Sequence, residues 1–215
     1  MKVSLSLGRA SHSVALSGKK PGGMDGARRQ AFNAIAALIL SLFLPMNLFA
    51  QIPISRNPKF TPSLNPEFTP SINPNFTPSI NPQFTPSLNP RFTPSINPQF
   101  TPLLNPQFTP AINPKFTPSL NPQFTPSLNP KTNKWRGFYL FSKKAEWIGI
   151  FVSVKDDFFL VYGPDAEWTG YLVSNGDGGF NWFDLEGDWK GYLLPNSGGG
   201  WNLFTTNADW IAFTT

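Results

Sequence analysis

FLVYGPDAEWTGYLVSNGDGG, residues 159–179, holds two apolar runs separated by a Gly-Pro-Asp-Ala turn and followed by an Asn/Gly-rich turn. Short aromatic and β-branched runs punctuated in this way predict a β-hairpin. The same phrase returns on both sides. FYLFSKKAEWIGIFVSVKDDF precedes it, and FNWFDLEGDWKGYLLPNSGGG and the shorter WNLFTTNADWIAFTT follow it, without gaps. Trp147, Trp168, Trp189 and Trp210 mark the period, each 21 residues from the next. Four hairpins in tandem predict an all-β module over residues 134–215. It would be an antiparallel meander of about eight short strands, closing as a small barrel or coiling as an open sheet.

Strict alternation along the second strand of a unit would put Trp189, Gly191 and Leu193 on one face, and Lys190, Tyr192 and Leu194 on the other. The glycine, matched by Gly149 and Gly170 and replaced by Ala212 in the last unit, would leave room for large neighbours. Trp147, Trp168, Trp189 and Trp210 are therefore expected in the core. The opposite face, with Ile148, Thr169, Lys190, Ile211, Ile150, Tyr171, Tyr192 and Phe213, would be a mixed aromatic and aliphatic surface suited to a partner or a glycan. The ligand-binding candidates are Tyr171, Tyr192, Lys190, Trp182 and Trp201. Glu146, Glu167, Asp188 and Asp209 each precede a repeat tryptophan. Four equivalent carboxylates do not make the unlike pair that glycoside hydrolysis needs, and strand-entry or edge-protecting charge is the expected role. Asn175–Gly179 lacks the ligand spacing of a calcium loop and is read as turn chemistry. In period and aromatic-glycine composition, residues 135–215 resemble the choline-binding and cell-wall-binding repeats of bacterial surface proteins. The GW…WYYL signature of those repeats is absent, so neither their ligand nor their sites carry over.

Upstream lies a second repeat. Residues 57–128 are nine copies of N-P-x-F-T-P-S-[IL], followed by a truncated Asn129-Pro-Lys. Proline at every fourth position forbids an α-helix. The residue before each proline is pushed toward extended conformations, and Asn-Pro favours a turn, so an extended rod competes with a string of tandem turns. Residues 51–133 are expected to be a non-globular, semi-rigid stalk. A plain spacer does not require nine phenylalanines eight residues apart, from Phe60 to Phe124. Such aromatics could bind a repetitive glycan, pack against identical tracts or let the tract coil on itself. The x position is polar throughout, as a solvent-facing site would be.

Residues 1–50 are expected to be a leader: an over-extended start at 1–23 and a signal peptide at 24–50. Arg28 and Arg29 precede an apolar run of 13 residues at 34–46, and Ala50 offers a small residue for cleavage. The whole charge imbalance also belongs there. Of the formal +5, none remains after residue 50, where eleven Lys and Arg face eleven Asp and Glu. Nucleic-acid binding loses its main support. The single histidine, His12, goes with the leader, and the chain has no cysteine. That excludes Ser-His-Asp and Cys-His nucleophile systems, the usual zinc sites and disulfides. No enzyme activity, metal or cofactor is expected. The sequence points to an exported, extracellular or cell-surface bacterial protein whose stalk displays an aromatic β module to a glycan or envelope component. Its alternative is a structural protein that self-associates through the Phe-spaced tract.

Overall fold

The structure, a computed structural model, describes residues 52–215. The expected extension, signal peptide and His12 lie outside the described residues.

The four hairpins form eight antiparallel strands: β1 (Gly137–Ser142), β2 (Trp147–Lys155), β3 (Phe158–Tyr162), β4 (Trp168–Ser174), β5 (Phe180–Asp184), β6 (Trp189–Pro195), β7 (Trp201–Thr205) and β8 (Trp210–Thr214). They pair in sequence order and close into a barrel. The open sheet is thereby excluded. The seam is a short joint: β1 and β8 share three paired positions, as do β7 and β8, whereas β4 and β5 share five.

Closure places one set of alternating side chains in the lumen. Phe138, Phe159, Phe180 and Trp201, again 21 residues apart, meet around a circuit with centroid separations of 5.9, 5.2, 5.0 and 6.4 Å, edge-on or tilted. Such contacts contribute about 0.5–1.5 kcal/mol each beyond area burial. Leu140, Val161, Leu172, Leu193 and Leu203 fill the space beside this circuit. An eight-stranded barrel is just wide enough for side chains of this kind.

The repeat tryptophans, expected inside, lie on the outer face instead. A β-bulge causes the difference. Phe183 pairs with Trp189 while Trp182 pairs with Gly191, so Lys190 is an extra residue, and Ile148, Thr169 and Ile211 are skipped in the same way. One extra residue reverses the alternation. The indole N–H groups of Trp147, Trp168 and Trp210 then donate to the carbonyl oxygens of Gly149, Gly170 and Ala212 at 2.7–2.8 Å. The glycine serves backbone approach more than room for aromatics. A Cβ at Gly191 would stand 2.2 Å from the Phe204 carbonyl oxygen of the adjacent strand.

Each octapeptide is a pair of tight turns. Asn81 O accepts from the Phe84 and Thr85 amides, Thr85 O accepts from Leu88, and Pro86 O accepts from Asn89. Proline removes two backbone donors from every unit, and side chains supply the missing links. Asn89 Nδ2 donates to Pro82 O at 3.2 Å and Thr93 Oγ1 to Pro86 O at 3.0 Å, both seven residues back, and the pattern recurs along the tract. One octapeptide is thus one coil of a solenoid, and the tandem-turn conformation is the one adopted. Asn and its proline sit on the buried side in most coils, while x and Phe face outward.

This solenoid, expected as a stalk, is packed on the barrel. The outward strand side chains, including Ile150, Leu160, Tyr171 and Phe183, form one core with Leu120 of the tract, flanked by Ile112 and Leu128. A second core of Phe141, Tyr192, Phe204 and Phe213 takes in Ile52 and Leu88. The tract passes the hairpins in reverse order. Ile72 O accepts from Asn202 of β7, Ile96 O accepts from Asn181 of β5, and Leu120 packs with Leu160 of β3. Those tract residues are 24 apart and their barrel partners 21 apart. Three coils therefore span one hairpin. At the opposite end of the strands the same step repeats: Gln83 reaches Ala208 O, Gln107 reaches Asp188 Oδ1, and Lys131 reaches Glu167 Oε1. The tract is a belt around the barrel, and both its ends arrive at β1.

Candidate functional site

The belt decides what the barrel can offer to a ligand. Tyr171 and Tyr192, proposed binding residues, are 1% and 0% exposed beneath it. They stack in rows on the outer face, Tyr171 between Phe158 and Phe183 at 5.6 and 5.7 Å, and Tyr192 against Phe204 at 5.7 Å. Burial raises both phenols far above their ordinary pKa, with the carboxylates of Asp184 and Asp188 adding to the effect at Tyr171. The surface inferred from alternation is real as a face, but the tract covers it. A sequence without the belt's path gives no sign of this.

The other three candidates are elsewhere. Trp201 belongs to the aromatic circuit in the lumen, and Trp182 packs against the same luminal cluster, half-buried, with no partner for its indole N–H. Lys190 is the exposed bulge residue, 2.7 Å from Asp184 Oδ2. Burial works to raise the Asp184 pKa, but the Lys190 contact and the Asp188 and Glu186 amides outweigh it and hold the carboxyl low. These five residues do not converge on one ligand. The repeated acids acquire a specific role that composition did not reveal: Glu167, Asp188 and Asp209 anchor the belt through Lys131, Gln107 and Gln83.

Among the described residues, two open surfaces stand out. On the outer edge of the belt, all nine phenylalanines from Phe60 to Phe124 are 66–70% exposed. Regular display of this much aromatic surface is not explained by packing. Second, where the two ends of the belt meet over β1, a cleft of about 830 Å³ is lined by Pro53, Arg56, Asn133, Trp135, Arg136, Tyr139 and neighbouring residues. Trp135 meets Tyr139 edge-on at 5.2 Å. Arg56 Nη1 donates to Gly137 O and Thr215 O at 3.2 and 3.3 Å. Burial raises the Tyr139 pKa, and the Arg56 charge offsets part of the rise.

The cleft interrupts the internal symmetry, and in hindsight the sequence marks it. One repeat on from Trp135 stands Asp156, then Asp177 and Gly198, all turn residues. Tyr139 occupies the position of Leu160, Asn181 and Asn202, which meet the belt in the other hairpins. Among the described residues, no group of His, Cys, Asp and Glu side chains could hold a metal ion. Compared with known proteins, the chain matches no family model, no curated protein and no solved structure.

Proposed function

We propose that this is an exported, non-catalytic binding protein whose partner is a glycan or another cell-envelope component, held on the aromatic surface of the belt. The observation that carries the reading is the array of nine outward phenylalanines, one per coil, on a scaffold fixed to the barrel at both ends of its strands. Aromatic faces repeated at a constant step suit a polymer that is itself periodic, and their display on a preorganised frame avoids ordering cost on binding. Export rests on the basic and apolar leader. The non-catalytic assignment rests on the lack of histidine and cysteine after His12 and on carboxylates set in equivalent positions.

The test uses the protein and insoluble envelope polysaccharide in a co-sedimentation assay. Replacing Phe76, Phe84 and Phe92 together with serine should reduce retention at least tenfold without lowering the melting temperature, since these residues are mostly exposed and belong to no core cluster. Equal retention would overturn the assignment. The same array also supports a second reading, self-association between belts, because identical outer edges can face one another. Concentration-dependent sedimentation of the parent protein that the triple variant loses, with no polysaccharide retained by either, would favour that reading.

A further inference from the structure

We propose that the cleft between the two ends of the belt binds an acidic sugar unit, its anionic group met by Arg56, Lys134 and Arg136 and its ring face by Trp135 and Tyr139. This rests on the glycan reading above and names the chemistry that one site would select. The lining includes three cationic side chains and no acidic side chain. That is notable on a barrel module with six Lys and Arg against ten acids. An anionic group entering this cleft meets positive side chains. Arg56 is oriented by the Gly137 carbonyl oxygen and by a main-chain oxygen of Thr215, the last residue of the sequence, so its position is set before a ligand arrives, and Lys134 and Arg136 supply most of the charge for the anion. Tyr139 remains a neutral hydroxyl donor well past neutral pH. Trp135 and Tyr139, meeting edge-on at an interplanar angle of 70°, present one apolar wall and one polar tip, as suits a sugar. A volume of about 830 Å³ is within the range of small-ligand sites and admits two or three sugar rings.

The experiment is calorimetric titration of the protein with tri-galacturonate, with neutral maltotriose and inorganic phosphate as comparators. Saturable binding of tri-galacturonate, weakened by added salt and at least tenfold tighter than maltotriose, is expected. Lys134→Ala with Arg136→Ala should lower the affinity at least tenfold with unchanged melting. Trp135→Phe should weaken it less, through the ring face alone. Tight binding of phosphate that competes with the sugar would mean an anion site without sugar selectivity and would overturn the proposal, as would equal affinity for the neutral sugar or no effect of the double variant. Failure here with polysaccharide retention still lost in the phenylalanine variant would remove the cleft and leave the belt reading. Loss of acidic-sugar binding in the cleft variant alone would establish the cleft whatever the belt does.

Discussion

At the level of single residues, neighbouring glycines have opposite tolerances. A Cβ on Gly170 would stand 2.3 Å from the Phe183 carbonyl oxygen, which only a backbone shift relieves. Gly170→Ala should therefore destabilise the fold by about 3 kcal/mol in thermal or denaturant unfolding. Gly187 has φ +89°, yet Ala145, Ala166 and Ala208 hold the corresponding positions at φ 58–67°, and its Cβ would meet nothing nearer than 3.4 Å. Gly187→Ala should cost no more than about 1 kcal/mol. The belt has its own sensitive residue type. Asn97, 2% exposed, donates to Pro90 O at 2.9 Å and accepts from the Gln99 amide at 2.8 Å. Asn97→Ala would strand both partners and should cost about 2 kcal/mol or more. The Trp-x-Gly motif was plain in the sequence, but its meaning was not. Alternation assumes one residue per register step, and the bulge that spends two is specified by pairing across strands.

Among the elements, the paired strands and the solenoid depend on each other through the tyrosines. Tyr162, Tyr171 and Tyr192 have folded-state pKa values raised by burial, and Tyr139 is raised as well. A raised folded pKa gives stability that is fully present below the unfolded value of about 10 and is lost as pH rises above it. Absorbance at 295 nm should show little tyrosinate until the fold opens, then a cooperative rise coincident with loss of near-ultraviolet circular dichroism; a gradual rise near pH 10 in the folded protein would contradict the burial. The Tyr171 hydroxyl has no hydrogen-bond partner. Tyr171→Phe should thus be neutral or stabilising by up to about 1 kcal/mol in melting experiments. The hairpin period, the number of strands and the exclusion of α-helix from the octapeptides were all legible from local spacing. The seating of one repeat upon the other was not, because it depends on residues such as Ile96 and Asn181, 85 positions apart, and on carbonyl groups common to every residue.

For the whole molecule, the belt is the second half of the barrel's core. Residues 134–215 alone would expose Phe158, Tyr171, Tyr192, Phe204 and Phe213, all at most 1% accessible in the intact protein. That fragment should bind a hydrophobic dye and elute as aggregates in gel filtration, whereas residues 52–215 elute as a defined species; a monomeric, dye-silent fragment would show the barrel to be autonomous. The correspondence of 24 belt residues to 21 barrel residues has a hereditary counterpart. Tandem octapeptide codons invite gain or loss of single units during replication, yet one unit is a third of a step around this circumference. A lone insertion would carry every later anchor past its mate and leave surplus chain at the junction with β1. Viable length variants are accordingly expected to change by three octapeptides for each hairpin gained or lost, so the protein measures one of its repeats against the other.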